Sequence, residues 1–404
     1  MKKLLAMALS SAMILGTLAG CSSSDSGSTG GTTTGTTTGD TTTTTTTDGG
    51  TIKVGILANT TGGAAQYGVS VSNGANFYIN QVNESGGING KQIEVVEYDD
   101  KGESAEVISL FNRLEGDGIS GVIGCVLSGT SIALADETYA ANMPQISASA
   151  TAYGLTVMED TGEVRTNVFR ACFIDPFQGE KMANYASEKL SATTAAVIFC
   201  SGDDYSVGLK DAFVAECEAL GITVVAEEAY SVGDVSFQAQ MTTIAGQNPD
   251  VVFVPNYYED VGLIVTQGRE VGVTGTFIGG DGWAGVSGYA SAEDLEGSVY
   301  CSGFSGDVEF ETAFAAAYNV TPGMFEALGY DAALLMINAI EIAEAGSNEA
   351  GSAEYKQDVI SALAGTSGVE GLTGTFAFDE FNNPIKTASM IEITSGAEVF
   401  TEQY

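Results

Sequence analysis

The sequence predicts two α/β lobes, each a parallel sheet flanked by helices. Three observations carry this. Short β-rich runs alternate with helical stretches from Thr51 onward; those runs are apolar throughout rather than at every second residue; and the series restarts near Ala195. Strands buried on both faces read as continuous apolar runs, and helical crossovers between them cover both faces of a parallel sheet. Two such series mean two sheets.

The elements follow in order. Residues 52–57 read as a strand, and residues 66–84 as a helix stopped by Gly86-Gly87. A second strand spans 93–98. The helix at 103–115 carries Val107, Ile108, Phe111 and Leu114 on one face. A third strand at 121–125 leads to a helix near 131–141. In the second series, 195–200, 223–226, 251–255 and 277–279 read as buried strands with helices between them. The stretch from Thr51 to Tyr404 is long enough for two cores.

The N-terminus is of another kind. Lys2 and Lys3 precede an apolar run over residues 4–18, then Leu18-Ala19-Gly20-Cys21. Two cations, a short apolar core and small residues are the anatomy of a secretory signal, expected at 1–20. The run is shorter than the roughly 20 residues a membrane span needs. The cysteine after Leu-Ala-Gly resembles the lipobox of bacterial lipoproteins, which implies acylation of Cys21 and a membrane anchor. Residues 22–50 are almost wholly Ser, Thr, Gly and Asp. With no apolar surface to offset ordering entropy, residues 21–50 are expected to be a flexible tether of about 30 Å mean reach.

Composition excludes several functions. A net charge of −38 with only 14 Lys and Arg argues against nucleic acid, whose phosphates need cations. There is no histidine, which removes Ser-His-Asp and Cys-His catalysis and His-type zinc sites. Carboxylate-only or metal-carboxylate chemistry is not excluded by that count. Beyond Cys21 stand Cys125, Cys172, Cys200, Cys217 and Cys301, an odd set without CxxC spacing. That is a poor metal site and a poor disulfide framework, although it leaves room for one bridge. Neither a GxGxxG fingerprint nor a P-loop is present, and no cofactor is expected.

In parallel sheets, ligands bind beyond the carboxyl ends of the strands, so the loops there matter most. Residues 127–131, Leu-Ser-Gly-Thr-Ser, join a strand to a helix start, where hydroxyls and free N–H groups suit an anion. Plain helix capping explains the same residues. Residues 147–151 offer similar donors. Gly279-Gly280-Asp281-Gly282-Trp283 sets one carboxylate among glycines, either to meet an ammonium or simply to turn. Trp283 beside it is expected to narrow the pocket. Tyr67, Tyr205, Tyr257 and Tyr258 fall in further strand-end loops and can wall a site. Donors for a carboxylate, an acid for an ammonium and aromatics between them outline an amino acid.

Several stretches in order resemble the leucine/isoleucine/valine-binding proteins, the extracellular solute receptors of ABC importers. They are Lys53-Val54-Gly55-Ile56, Gln66-Tyr67-Gly68 and Glu84-Ser85-Gly86-Gly87-Ile88-Asn89-Gly90 near the start. Val122-Ile123-Gly124, Asp204-Tyr205-Ser206-Val207-Gly208 and Gly280-Asp281-Gly282 continue the match. The resemblance implies the type I periplasmic binding protein fold, two Rossmann-like lobes joined by a three-crossover hinge. It places lobe 1 at 51–171 and about 305–380, and lobe 2 at 172–304 and about 381–404. It implies that Ser128 binds a ligand carboxylate, Ser149 acts through backbone groups and Thr151 through hydroxyl and amide. Tyr205 and Asp281 would meet the ammonium, Asp281 where a glutamate often sits, and Tyr67 and Tyr257 would line the side chain. Some members carry a disulfide near these loops, but Gly102 occupies the partner position of Cys125.

The combined expectation is a monomeric, lipid-anchored receptor on the outer face of the cell membrane. It captures an apolar amino acid for ABC permease subunits. A sensory module for an amino acid, amide or other solute is the alternative, and a carboxylate hydrolase the weakest reading.

Overall fold

The computed structural model describes residues 50–404. The leader, Cys21 and the tether lie outside the described residues. The first sheet is built from β1 (Thr51–Ala58), β2 (Gln92–Asp99), β3 (Val122–Gly124), β4 (Gln145–Ser147) and β5 (Val168–Arg170). Between them run α1 (Ala65–Glu84), α2 (Ser104–Asp117) and α3 (Ser128–Ala140). The order is β2-β1-β3-β4-β5, parallel throughout.

The second series alternates α4 (Asp175–Glu188), β6 (Thr194–Cys200), α5 (Asp204–Leu220) and β7 (Thr223–Tyr230). It continues through α6 (Gln238–Gln247), β8 (Val251–Phe253), α7 (Tyr258–Glu270), β9 (Thr276–Gly279), α8 (Ala292–Leu295) and β10 (Val299–Ser302). The chain then returns through α9 (Val308–Tyr318), α10 (Met324–Glu344), α11 (Ala353–Ala364) and the hairpin of β11 (Ser367–Gly371) and β12 (Gly374–Ala377). It finishes in β13 (Ser389–Thr394) and β14 (Ala397–Gln403), completing a sheet of order β14-β13-β10-β9-β8-β6-β7. The chain thus passes between the two bodies three times: after β5, after β10 and after β12.

Three expectations change. The second sheet is mixed, because β13 and β14 pair antiparallel at one edge. Ser395 and Gly396 close that hairpin, both at positive φ, as a two-residue primed turn requires. β7 does not end at Ala226 as a buried strand; it runs on to Tyr230 at the other edge, with Glu227 exposed. An edge tolerates such charges and is guarded by them. The α3 helix begins at Ser128, three residues before the predicted start. The five internal cysteines are all buried and free, so the bridge left open by the sequence does not form.

The α1 and α10 helices pack against each other through glycines. A Cβ on Gly74 would lie 2.0 Å from Glu326 O, and one on Gly329 would lie 2.2 Å from Val71 O. These contacts are with backbone, which cannot swing aside. Gly329→Ala should therefore destabilise the protein by about 3 kcal/mol through overpacking, outweighing the roughly 1 kcal/mol gained in helix propensity. The check is chemical denaturation of both proteins; an unchanged or raised midpoint would contradict this packing.

Candidate functional site

On the first lobe the donors come from the ends of β3 and β4. Leu127 is extended, so α3 opens at Ser128 without a side-chain cap on its first turn. That turn leaves N–H groups unspent and concentrates the positive end of the helix dipole there. The Ala152 N–H donates to Ser128 Oγ at 3.3 Å, which leaves the Ser128 proton for another acceptor. Ser149 Oγ donates to Val126 O at 2.9 Å, so its proton is already committed and only its backbone remains for a ligand. Thr151 is buried, and its hydroxyl faces the buried Asp175 carboxyl, whose burial-raised pKa it restrains. Below them, Ser147 Oγ donates to Cys125 O at 2.7 Å and accepts the Ala150 N–H at 3.1 Å, tying the loop to its neighbouring strand end.

On the second lobe, β9 runs into Gly280 and the single 3₁₀ turn Asp281–Trp283. Asp281 is 3% exposed. Its N–H donates to Gln178 Oε1 at 2.9 Å, and the next N–H, of Gly282, donates to the Tyr205 hydroxyl at 2.9 Å. Glycines are required around it: a Cβ on Gly279 would sit 1.8 Å from Trp283 Nε1, and one on Gly280 2.7 Å from the Tyr205 hydroxyl. Burial pushes the Asp281 carboxyl up to about 6, and the Tyr205 hydroxyl and nearby amides restrain the rise.

Aromatic rings stand between the two ends, stacked within each lobe. Tyr67 stacks on Phe325 at 3.9 Å between centroids, and Tyr205 on Tyr257 at 5.1 Å. The Tyr67 hydroxyl donates to Gly282 O at 2.5 Å, and the Gln66 N–H to the Tyr258 hydroxyl at 3.3 Å. These bonds join α1 of the first lobe to the second, so the cleft is closed.

Tyr67, Ser128, Ser149, Thr151, Tyr205, Tyr257 and Asp281 all line one narrow pocket between the lobes. Trp283 does not narrow it. It is wholly buried beneath the turn, with Nε1 donating to Val254 O at 2.8 Å. Phe325 joins the lining without having been anticipated, as does Val126. Phe325 is the second residue of α10 and reaches the cleft on the chain's return from the second lobe; no local pattern marks it. Among the described residues no cluster of His, Cys, Asp and Glu could hold a metal ion, and no helix is long and apolar enough to cross a membrane.

Two α/β lobes closed over a shared pocket define a two-lobed solute-binding fold. Comparison with known proteins agrees: residues 51–398 match the family described as periplasmic binding protein, and the chain belongs to that family. A Leu/Ile/Val-binding protein of Rhizobium johnstonii is 33% identical over 77% of this chain and 83% of its own. The leucine-, isoleucine-, valine-, threonine- and alanine-binding protein of Pseudomonas aeruginosa is 28% identical over 82% and 86%. Among solved structures, the branched-chain amino-acid transporter substrate-binding protein LivJ of Streptococcus pneumoniae, in complex with isoleucine, superposes with a TM-score of 0.77. It is 35% identical and covers 87% of this chain and 99% of its own. The leucine-binding protein LivK of Thermotoga maritima gives 0.78 at 28% identity, covering 87% and 98%.

The raised Asp281 pKa sets a pH signature. A carboxyl at 3.8 in the unfolded chain and about 6 in the folded one makes the native state bind more protons between those values. Its favourable contribution is therefore fully present below about pH 4 and is lost as pH rises through 6. Asp281→Asn should stabilise the ligand-free protein by about 2–3 kcal/mol at pH 7.5, at 1.36 kcal/mol per pH unit, and by nearly nothing at pH 4. Melting curves at the two pH values decide it; equal differences would mean the carboxyl is not buried as described.

Proposed function

We propose that this chain is the extracellular receptor of an ABC importer and captures an apolar amino acid, branched-chain ones foremost. One observation carries the reading. The closed cleft has the free Ser128 hydroxyl and helix-end donors on one lobe, a buried carboxylate on the other, and aromatic rings between them. The donors suit a carboxylate, Asp281 suits an ammonium, and the rings suit a side chain without polar groups. Ser128 and Thr151 take the carboxylate, Asp281 and Tyr205 the ammonium, and Tyr67, Tyr257 and Phe325 the side chain, with Ser149 contributing backbone. The relatives support the choice, since they are named for binding leucine, isoleucine and valine. Membership of the family implies an extracellular or periplasmic location. Within that, we assign Cys21 as the lipidated anchor, the following segment as a tether, and a monomeric receptor that delivers its solute to permease subunits and catalyses nothing.

A micromolar Kd corresponds to about −8 kcal/mol, and a charge-assisted hydrogen bond contributes about 1.5–3 kcal/mol of it. Asp281→Ala should therefore weaken amino-acid binding by tenfold or more while the protein stays folded. Calorimetry on the compound that best raises the melting temperature in an amino-acid panel makes the test, since only binders of the native state stabilise it. In the unsubstituted protein, affinity should rise from pH 5 to 7 as Asp281 ionises. Undiminished affinity in the alanine variant would remove the ammonium site, and with it the proposed class of solute.

A further inference from the structure

The first lobe holds a buried cation behind the donor loop. Arg170 ends β5 and is wholly buried. Its Nη1 donates to Ala150 O at 2.9 Å, and its Nη2 to Ala152 O at 2.9 Å and to Thr156 Oγ1 at 3.4 Å. The carbonyl between those two, of Thr151, accepts the Asp175 N–H at 3.0 Å. Three successive carbonyls are thus drawn toward the body of the protein. In a planar trans peptide the N–H points opposite to the C=O of the same unit. Pinning the Ala150 carbonyl therefore turns the Thr151 N–H the other way, and pinning the Thr151 carbonyl does the same for the Ala152 N–H. The Ala152 N–H accordingly reaches Ser128 Oγ at 3.3 Å, on the cavity side.

We propose that Arg170 is a positioning residue for carboxylate recognition: by holding the carbonyls on either side of Thr151 it aims the Thr151 N–H, and it sets a positive charge behind the loop without touching the solute. This rests on the amino-acid reading above and specifies how its negative end is held. The planar guanidinium fork is what the task needs, because its two nitrogens bridge two carbonyls in one fixed geometry. A lysine ammonium retains the charge but lacks that rigid fork. A buried arginine that merely satisfied loop carbonyls would hold up the fold and show no preference for one ligand end over the other.

The test compares L-leucine with L-leucinamide, which differ only in whether the acid end is a carboxylate or a neutral amide. Affinities are measured by calorimetry, directly or by competition, for the unsubstituted protein, Arg170→Lys and Arg170→Met, with circular dichroism as the check on folding. The preference for leucine over leucinamide should fall about fivefold in Arg170→Lys and at least tenfold in Arg170→Met. Leucinamide affinity itself should change less than threefold. If Arg170→Met does not fold, Arg170→Lys carries the comparison, since it keeps the buried charge. Equal losses for both compounds, with the preference intact, would reduce Arg170 to a structural role and overturn the proposal. An unsubstituted protein that binds no member of an amino-acid panel is a separate result, and it defeats the functional reading itself.

Discussion

The arrangement depends on a carboxylate buried without a counter-charge. Asp281 lies at the floor of a closed cleft, and the groups that restrain its pKa are a phenol and amides rather than a lysine or arginine. Burying an ionised carboxylate without a counter-charge is costly, and a group in that position either takes up a proton or meets a cation. Closing the cleft therefore opposes the ionisation of Asp281 unless a positive group is enclosed with it. A ligand stabilises the closed form only to the extent that it binds that form better than the open one. An ammonium that neutralises Asp281 supplies this difference directly, because the penalty it relieves arises mainly on closure.

The two ends of the cavity are held by different devices. The acid end relies on glycines and the indole of Trp283. Gly279 and Gly280 have no room for a side chain, and the 3₁₀ turn lies over a tryptophan tied to Val254. The donor end relies on strand-end hydroxyls, with Ser147 tying the loop to Cys125. Each end is thus fixed within its own lobe. What varies with the hinge is the separation between them, spanned by the edge-on contacts of Tyr67 with Tyr257 and Tyr258. Ring contacts suit that place, since they constrain direction less than a hydrogen bond does.

Much of this was legible in the sequence, for identifiable reasons. Continuous apolar runs such as 195–200 announce strands covered on both faces, and parallel strands announce where a ligand lies. That rule alone drew attention to the loops carrying Ser128, Thr151, Tyr205 and Asp281. The failures are equally physical. β5 spans only three residues and has too little pattern to register. Ser128-Gly129-Thr130 consists of weak helix formers and reads as loop, although a buried strand end delivers it straight into α3. Trp283 adjoins Asp281 in sequence, but one turn of 3₁₀ helix sends the indole to the opposite side. Phe325 belongs to the returning chain, so only the tertiary path brings it to Tyr67.

Recognition and closure also share atoms. Gly282, next to the acid, gives its N–H to the Tyr205 hydroxyl and its carbonyl to the Tyr67 hydroxyl. Tyr205 restrains the Asp281 pKa, whereas Tyr67 belongs to the other lobe and stacks on Phe325. One peptide segment therefore links the ionisation of the buried acid to the hydrogen bond that fastens the lobes together. A displacement of the 281–282 turn cannot leave the interlobe bond unchanged, and an opening of the lobes cannot leave the turn's partners unchanged. Groups coupled through hydrogen bonds in a low-dielectric interior respond as a unit rather than as a sum of pairs. Capture of a cation at Asp281 and fastening of the cleft at Tyr67 are, on this geometry, two readings of one network.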